Sequence, residues 1–165
     1  ILSLHVPVSI VDKADFVPRV DGFCLKPKHN SVTLMDVPEG LDVLVVEDNF
    51  VNRKVMISML ATLNVQPVGM VSDGASALQF LLDRLRRVSQ GENVNPLVVL
   101  LDNTMPVMMG TEMARLWREL EDAVDRADAA KIVLVTASEV AKTPHVDEVV
   151  LKPVKMETLK RVLRP

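Results

Sequence analysis

Cysteine, aromatic residues and long runs of apolar or basic residues are all scarce in this chain of 165 residues. The single cysteine, Cys24, excludes an internal disulfide and fits a reducing compartment. A formal net charge of −3 without a basic run argues against nucleic acid as a direct partner. Because no apolar stretch is long enough to span a bilayer, we expect no membrane segment in this chain.

The start of the chain is typical neither of a signal peptide nor of a natural start, because it begins with Ile1 and its first apolar run is interrupted by Pro7 and Asp12. We therefore interpret the chain as a fragment of a longer protein. Its length is enough for one α/β domain with some chain left over. With aromatic residues at only 3%, valine, leucine and methionine must fill the core.

From Leu41 onward, short apolar runs alternate with helical stripes about five times. The runs predict strands at 41–46, 65–71, 97–101, 132–135 and 149–151. Between them, apolar residues recur at helical spacing, first at Val51, Val55, Met59 and Leu63 and last at Met156, Leu159 and Leu163. This alternation predicts a doubly wound parallel sheet with helices on both faces.

The second predicted strand contains Pro67, which lacks a backbone donor and therefore belongs at a sheet edge. An edge position for the second strand favours the flavodoxin-like (βα)5 arrangement of α/β proteins, with strand order 2-1-3-4-5 and here an N-terminal extension. In such sheets the active groups collect at the carboxyl ends of the strands.

Chemically complementary residues follow four of the predicted strands: Glu47 and Asp48, then Asp102, then Thr136, then Lys152. Three carboxylates brought together repel one another, and a hard cation such as Mg²⁺ relieves the repulsion. Asp102 could then attack phosphorus to form an aspartyl phosphate, while Thr136 and Lys152 interact with phosphoryl oxygens. Pro153 favours a cis peptide bond that would direct Lys152 inward.

Each of these residues alone has a structural explanation. An acid after a strand is more often a solvated loop residue or a helix cap, and Lys-Pro is usually a turn. We interpret the methionines between 105 and 113 as core and turn residues, and Arg84, Arg86 and Arg87 as a solvated helix face. Complementary chemistry at four strand ends in order favours a functional site.

The residues resemble the receiver domain of two-component response regulators over about residues 41 to 164. The resemblance is carried by five segments: VLVVEDNFVNRKVMISML, SDGASAL, LLDNTMPVMMG, VLVTAS and VVLKPV. They are most similar to receivers attached to hybrid histidine kinases, in which the E-D-N-x-x-N-R opening is common. We therefore expect residues 41–165 to be a receiver domain.

The resemblance implies a role for each residue of the site. Asp102 would be the phosphoacceptor, Thr136 the switch hydroxyl and Lys152 the partner of the phosphoryl oxygens. The ligands of Mg²⁺ would be Asp102 and three others: Asp48 directly, Glu47 directly or through water, and the backbone carbonyl of Thr104. Three departures stand out, and the first two are that Val149 replaces the usual aromatic switch residue and that the stretch from Thr136 to Lys152 predicts a short or irregular fourth helix. Residues 84–95 look like an extension of the second helix and its loop.

Residues 1 to about 30 resemble a second copy of the last part of the domain. Shifting the chain from Pro27 to Pro153 aligns HVPVSIVDKADFVPRVDGFCLKP with KIVLVTASEVAKTPHVDEVVLKP without gaps. Ile10 then falls on Thr136, so this copy lacks the switch hydroxyl. We interpret residues 1–40 as the tail of a preceding degenerate receiver-like domain plus a linker; an ordinary docked linker is the alternative.

The expected function is that of a phosphorelay receiver in the cytoplasm, including the cytoplasmic part of a membrane-bound sensor kinase. A histidine kinase domain, in cis or in trans, would supply the phosphoryl group, and a histidine phosphotransfer protein would receive it. A homodimer is a further expected partner. The receiver would only phosphorylate and dephosphorylate itself, whereas the parent chain would be a hybrid histidine kinase.

Two alternatives remain open at this stage. A pseudo-receiver, acting as a protein-interaction module without phosphorylation, is favoured by Val149 and the short fourth helix. A phosphatase of the haloacid-dehalogenase type also uses an aspartyl phosphate, but it needs a second acid where this chain has Thr104.

Overall fold

The structure, a computed structural model, describes residues 37–122, 129–138 and 144–164. Two predictions lie outside these ranges. One is the repeat and the degenerate domain in the first 36 residues, and the other is the short fourth helix, which falls on residues 139–143. Among the described residues, no helix is both long and apolar enough to cross a membrane.

The described residues form five strands and four helices in strict alternation up to β4. The strands are β1 (Asp42–Val46), β2 (Gly69–Val71), β3 (Leu97–Asp102), β4 (Lys131–Thr136) and β5 (Glu148–Leu151). The helices are α1 (Phe50–Thr62), α2 (Gly74–Ser89), α3 (Gly110–Asp122) and α4 (Met156–Val162).

The strands form one parallel sheet in the order β2-β1-β3-β4-β5, which confirms the predicted topology. β2 is the edge strand, and Pro67 lies just before it, so the missing donor of the proline costs no ladder hydrogen bond. β2 is shorter than predicted because only its last three residues pair with β1.

Helices cover both faces of the sheet, so successive residues of a strand pack alternately into two hydrophobic clusters, one on each face. Leu44 and Val46 of β1 pack on the side of α2 and α3, together with Met113 and Trp117. Val43 and Val45 pack on the side of α1 and α4, with residues such as Leu60 and Leu159. Burial on both faces explains why the central strands read as continuous apolar runs.

The first half of α1 departs from the predicted apolar stripe. Val51 and Val55 are 66% and 54% exposed, whereas Met56 and Leu60 are buried against the sheet. Met56 and Leu60 lie on the face of α1 that packs against the sheet, and adjacent helix residues point about 100° apart, so Val55 is turned away from that face. The stripe prediction was therefore wrong for Val51 and Val55.

The extension of α2 is confirmed, but the interpretation of Arg84 as solvated was wrong. Arg84 is only 8% exposed, pairs with Asp42 at 3.0 Å and also donates to the backbone carbonyl of Asn95. Arg84 lies in α2 and contacts Asp42, which is the first residue of β1. Arg86 and Arg87 are exposed, as predicted.

The methionines after β3 serve packing, as predicted. Met105 and Met113 are buried in the core on the α2–α3 side, and Met108 packs against it. Met109, in contrast, is half exposed.

Candidate functional site

Three carboxylates meet at the carboxyl edge of the sheet. Glu47 and Asp48 follow β1, and Asp102 is the last residue of the neighbouring strand β3. One oxygen from each of the three lies within 4.8 Å of the others. Glu47 and Asp102 are buried, while Asp48 is exposed, so the cluster has one open side.

Lys152 brings an ammonium to this cluster from the end of β5. Its Nζ lies 3.1 Å from Oδ2 of Asp102 and 2.8 Å from Oε2 of Glu47. The backbone N–H of Lys152 donates to the carbonyl of Thr136 at 2.8 Å, which extends the pairing of β4 and β5 to the edge of the site. The Lys152–Pro153 peptide bond is cis, as predicted.

The charges of the site are unbalanced, because one ammonium faces three carboxylates. Burial raises the pKa of Asp102, and the charge of Glu47 adds to this, against the lowering effect of Lys152 and of the Thr104 N–H. Burial alone would lower the pKa of Lys152, but hydrogen bonds to Glu47 and Asp102 outweigh it and raise that pKa. The excess of negative charge makes the cluster suited to a cation.

The donor set fits Mg²⁺ rather than a softer metal. All three side chains offer carboxylate oxygens, which is the ligand type that Mg²⁺ prefers, and the exposed side leaves room for water or phosphate oxygens. The backbone N–H of Thr104 donates to Oδ1 of Asp102 at 3.3 Å, and its side chain is exposed. The predicted role of the Thr104 carbonyl stays a prediction.

Thr136 ends β4, the strand next to β3, and is almost fully buried. Its hydroxyl donates to the carbonyl of Ser138 at 3.2 Å and accepts from the N–H of Ser138 at 3.4 Å. In this structure the hydroxyl is therefore engaged with the loop after β4. Val149 is half-buried and packs against the core on the α2–α3 side.

Three residues that surround Glu47 were not predicted from the sequence to belong to the site. The side-chain amide of Asn52 donates to Oε1 of Glu47 at 3.1 Å, and the backbone N–H of Asn49 donates to the same oxygen at 3.3 Å. The guanidinium of Arg53 donates to the backbone carbonyl of Glu47 at 3.2 Å. The signal was present in the E-D-N-x-x-N-R segment, since a helix starting at Phe50 turns Asn52 and Arg53 back towards Glu47.

Asn103 and Gly110 were also missed. The N–H of Gly110 donates to the carbonyl of Asn103 at 3.0 Å, and the side-chain oxygen of Asn103 accepts from Thr111 at 3.3 Å. A Cβ on Gly110 would overlap the carbonyl oxygen of Asp102. Gly110 is the last residue of the D-x-x-M-P-x-M-x-G motif. A glycine is required there because its backbone lies in close contact with the backbone of Asp102 and Asn103.

Comparison with known proteins agrees with this geometry. The family described as "Response regulator receiver domain" matches residues 43–164. The chain is 30% identical over 131 residues to hybrid signal transduction histidine kinase G of Dictyostelium discoideum, covering 76% of this chain and 4% of that protein. It is 34% identical over 85 residues to histidine kinase CKI1 of Arabidopsis thaliana, covering 50% of this chain and 8% of that protein. The chain thus spans only a small part of these relatives.

Solved structures show the same relationship. The receiver domain of CKI1 from Arabidopsis thaliana, complexed with Mg²⁺, superposes with a TM-score of 0.63 at 27% identity, covering 74% of this chain and 89% of that one. The receiver domain of the response regulator NarL from Mycobacterium tuberculosis, at 24% identity and a TM-score of 0.58, covers 76% of this chain and 94% of that one and shares the fold. The chain belongs to the response regulator receiver domain family.

Proposed function

We propose that this receiver domain is the phosphoacceptor of a phosphorelay, taking a phosphoryl group from a phosphohistidine onto Asp102 in the presence of Mg²⁺. The observation that carries the proposal is the position of the Lys152 ammonium, 3.1 Å from Asp102, within a cluster of three carboxylates. Formation of an aspartyl phosphate requires a nucleophilic carboxylate beside a fixed positive charge and a set of oxygen ligands for the metal.

In the proposed transfer, a carboxylate oxygen of Asp102 attacks phosphorus and forms the new O–P bond. The P–N bond breaks, and its electron pair stays on the imidazole nitrogen of the donor histidine. Lys152 provides positive charge and hydrogen bonds to the phosphoryl oxygens that arrive beside it. When bound by Glu47, Asp48, Asp102 and the carbonyl of Thr104, Mg²⁺ neutralises charge on the carboxylates and the phosphoryl group.

Thr136 is the proposed switch residue. Its hydroxyl donates to the carbonyl of Ser138, and this hydrogen bond must break before the hydroxyl can donate to a phosphoryl oxygen. Breaking it frees the loop after β4, so occupancy of Asp102 changes the surface that follows β4. Because residue 149 is valine, the change does not depend on an aromatic rotamer in β5.

The metal in the proposal is supported by the CKI1 receiver. Structures of that domain are described as complexed with Mg²⁺, and with Mg²⁺ and BeF₃⁻. Its identity to this chain is 27% in both cases. The acidic cluster of Glu47, Asp48 and Asp102 offers the same class of oxygen ligand in this chain.

The proposed partners are a histidine kinase domain, in cis or in trans, and a histidine phosphotransfer protein. Exposed apolar side chains in α1 support a protein partner, because Phe50, Val51 and Val55 are exposed on the helix that begins two residues after Asp48. Exposed apolar surface next to a reactive group is suited to docking a protein that brings a phosphohistidine. The matched relatives carry histidine kinase names, which supports a kinase-linked role.

A pseudo-receiver remains the second candidate, favoured by Val149 in place of the usual aromatic residue. The acid cluster with Lys152 in contact argues against it, since these groups have no evident purpose in a binding module. A haloacid-dehalogenase-type phosphatase is disfavoured because Thr104 cannot act as its second acid.

Intact-mass spectrometry after incubation with Mg²⁺ and acetyl phosphate separates the candidates. A single labile phosphoryl adduct on the wild-type chain, absent from Asp102→Asn, is expected for the phosphoacceptor. An unlabelled wild type would favour the pseudo-receiver, and rapid turnover of phosphate esters would favour the phosphatase. Labelling retained in Asp102→Asn would contradict the assignment of the acceptor.

A further inference from the structure

Glu47 is more completely engaged than the other two carboxylates of the site. Its Oε1 accepts from the side-chain amide of Asn52 and the backbone N–H of Asn49, while its Oε2 accepts from the ammonium of Lys152. Asp48, by contrast, is exposed and makes no hydrogen bond or ion pair with another residue in the ranges that the structure describes. The two neighbouring acids thus have different tasks.

The position of Asn52 is itself fixed by the start of α1. Asn49 caps the helix, and its side-chain oxygen accepts from the backbone N–H groups of Val51 at 2.9 Å and Asn52 at 3.2 Å. This cap holds the first turn against the end of β1, so the side chain of Asn52 reaches back to Glu47. A residue on the helix thereby orients an acid that follows the strand.

We propose that Asn52 is a positioning residue for phosphoryl acceptance, which it serves by holding the Glu47 carboxylate with Oε2 towards Lys152. The inference rests on the proposed function, because it concerns how the site is prepared for a phosphoryl group. With Glu47 fixed, Lys152 is held between two carboxylates, 2.8 Å from Glu47 and 3.1 Å from Asp102.

As a result, the ammonium of Lys152 is beside Asp102 before the phosphoryl group binds. A charge already located beside the acceptor oxygen needs no reorganisation during the transfer. If Asn52 no longer held Oε1, the Glu47 carboxylate could rotate and draw Lys152 away from Asp102. Asn52 touches neither Asp102 nor Lys152 in the hydrogen bonds of the described residues, so it acts through Glu47.

The first test compares rate constants of phosphorylation by acetyl phosphate at saturating Mg²⁺. Loss of a hydrogen bond to a charged group predicts a fall of about tenfold in Asn52→Ala. Asn52→Asp has the same size but places a like charge beside Glu47, and it is expected to fall at least as far. Ser58→Ala, an exposed change on the same helix, should leave the rate unchanged.

A double-mutant cycle with Glu47→Gln shows whether Asn52 acts through Glu47. In the Glu47→Gln background there is no carboxylate to hold against Lys152, so Asn52→Ala should lower the rate by less than about twofold. An undiminished fall in that background would overturn the inference, as would a wild-type rate in Asn52→Ala.

A measurement without metal or phosphate separates this inference from the proposed function. In EDTA, the side-chain NMR resonances of Lys152 should shift in Asn52→Ala and stay in place in Ser58→Ala. Unchanged Lys152 resonances in Asn52→Ala would contradict the positioning role. If the wild-type chain takes no phosphoryl group at all, the proposed function fails, and the NMR comparison still decides whether Asn52 positions Lys152.

Discussion

Gly110 lies directly against the backbone of Asp102, with the loop of residues 103–109 closed between them. A Cβ at Gly110 would overlap the carbonyl oxygen of Asp102 and lie 3.0 Å from the Cα of Asn103. These atoms belong to the backbone of Asp102 and Asn103 and cannot turn aside as a flexible side chain can. The start of α3 is thereby fixed against the end of β3.

Gly110→Ala should therefore destabilise the domain strongly. Overpacking against backbone predicts a loss of about 3 kcal/mol in the free energy of unfolding, measured by urea denaturation. Gly91→Ala is the control, because Gly91 has a φ of +82° and no heavy atom within 4 Å of a built Cβ. Its cost should be about 1 kcal/mol, from backbone strain alone. An equal cost at the two positions would show that the close approach is not rigid.

Asp102→Asn should stabilise the metal-free protein at neutral pH. Because burial raises the pKa of Asp102 in the folded state, ionising this carboxyl costs folding free energy. The cost is absent below the ordinary pKa of aspartate, develops as pH rises from that value to the folded pKa, and is complete above it. Denaturation in EDTA should therefore show Asp102→Asn more stable than wild type at pH 7 and nearly equal to it near pH 3.

Adding Mg²⁺ should reverse this difference. A cation that binds the folded wild type stabilises it by mass action, and Asp102→Asn has lost one of the three carboxylates that attract it. Repeating the denaturation at pH 7 with increasing Mg²⁺ checks this. A variant that is no more stable than wild type in EDTA would contradict the electrostatic account of the site.

Arg84→Met should cost about 2 kcal/mol of stability, because it leaves Asp42 at the start of β1 without its buried partner. The estimate is below that for a fully buried pair, since the Asp42 side chain is 17% exposed. Arg86→Ala is the matched control on the same helix and should cost less than about 0.5 kcal/mol, because the Arg86–Asp83 pair is exposed. Similar losses for the two variants, compared by thermal or urea denaturation, would contradict a structural role for Arg84.

Val51→Asp should separate docking of a protein donor from the chemistry at Asp102. Val51 is exposed, so the substitution should change stability by less than about 0.5 kcal/mol and leave labelling by acetyl phosphate intact. Transfer from a phosphorylated histidine kinase domain should fall by about tenfold if the start of α1 docks the donor. Ser58→Asp, later on the same helix, is the control. An equal loss of acetyl phosphate labelling in Val51→Asp would show damage to the site instead.

The sequence predicted the strand order and the convergence of the acids with Lys152, because both follow from local patterns. Alternating apolar runs define parallel strands, and Pro67 identifies the edge. Once the strands lie in parallel, residues that end them must share one edge of the sheet. The proximity of Asp102 and Lys152 could therefore be predicted from the strand order, without knowledge of their contact in the structure.

The sequence could not predict contacts that depend on where an element ends relative to the sheet. Val51 and Val55 fit a buried stripe, but the face of α1 that packs against the sheet is the one with Met56 and Leu60. The sequence suggests that Arg84 is a surface residue, whereas in the structure it is buried and contacts Asp42. The hydrogen bond from Asn52 to Glu47 likewise depends on the residue at which α1 begins. The spacing of apolar residues predicts a face of a helix, but it does not predict which residues that face contacts at each turn.

The most direct test of the central claim is to locate the phosphoryl group chemically. After incubation with acetyl phosphate, borohydride reduction converts an aspartyl phosphate to homoserine, and peptide mass spectrometry identifies its position. The account predicts homoserine at position 102 alone, formed with Mg²⁺ and lost in EDTA. Homoserine at another position, or at position 102 to the same extent in EDTA, would contradict it.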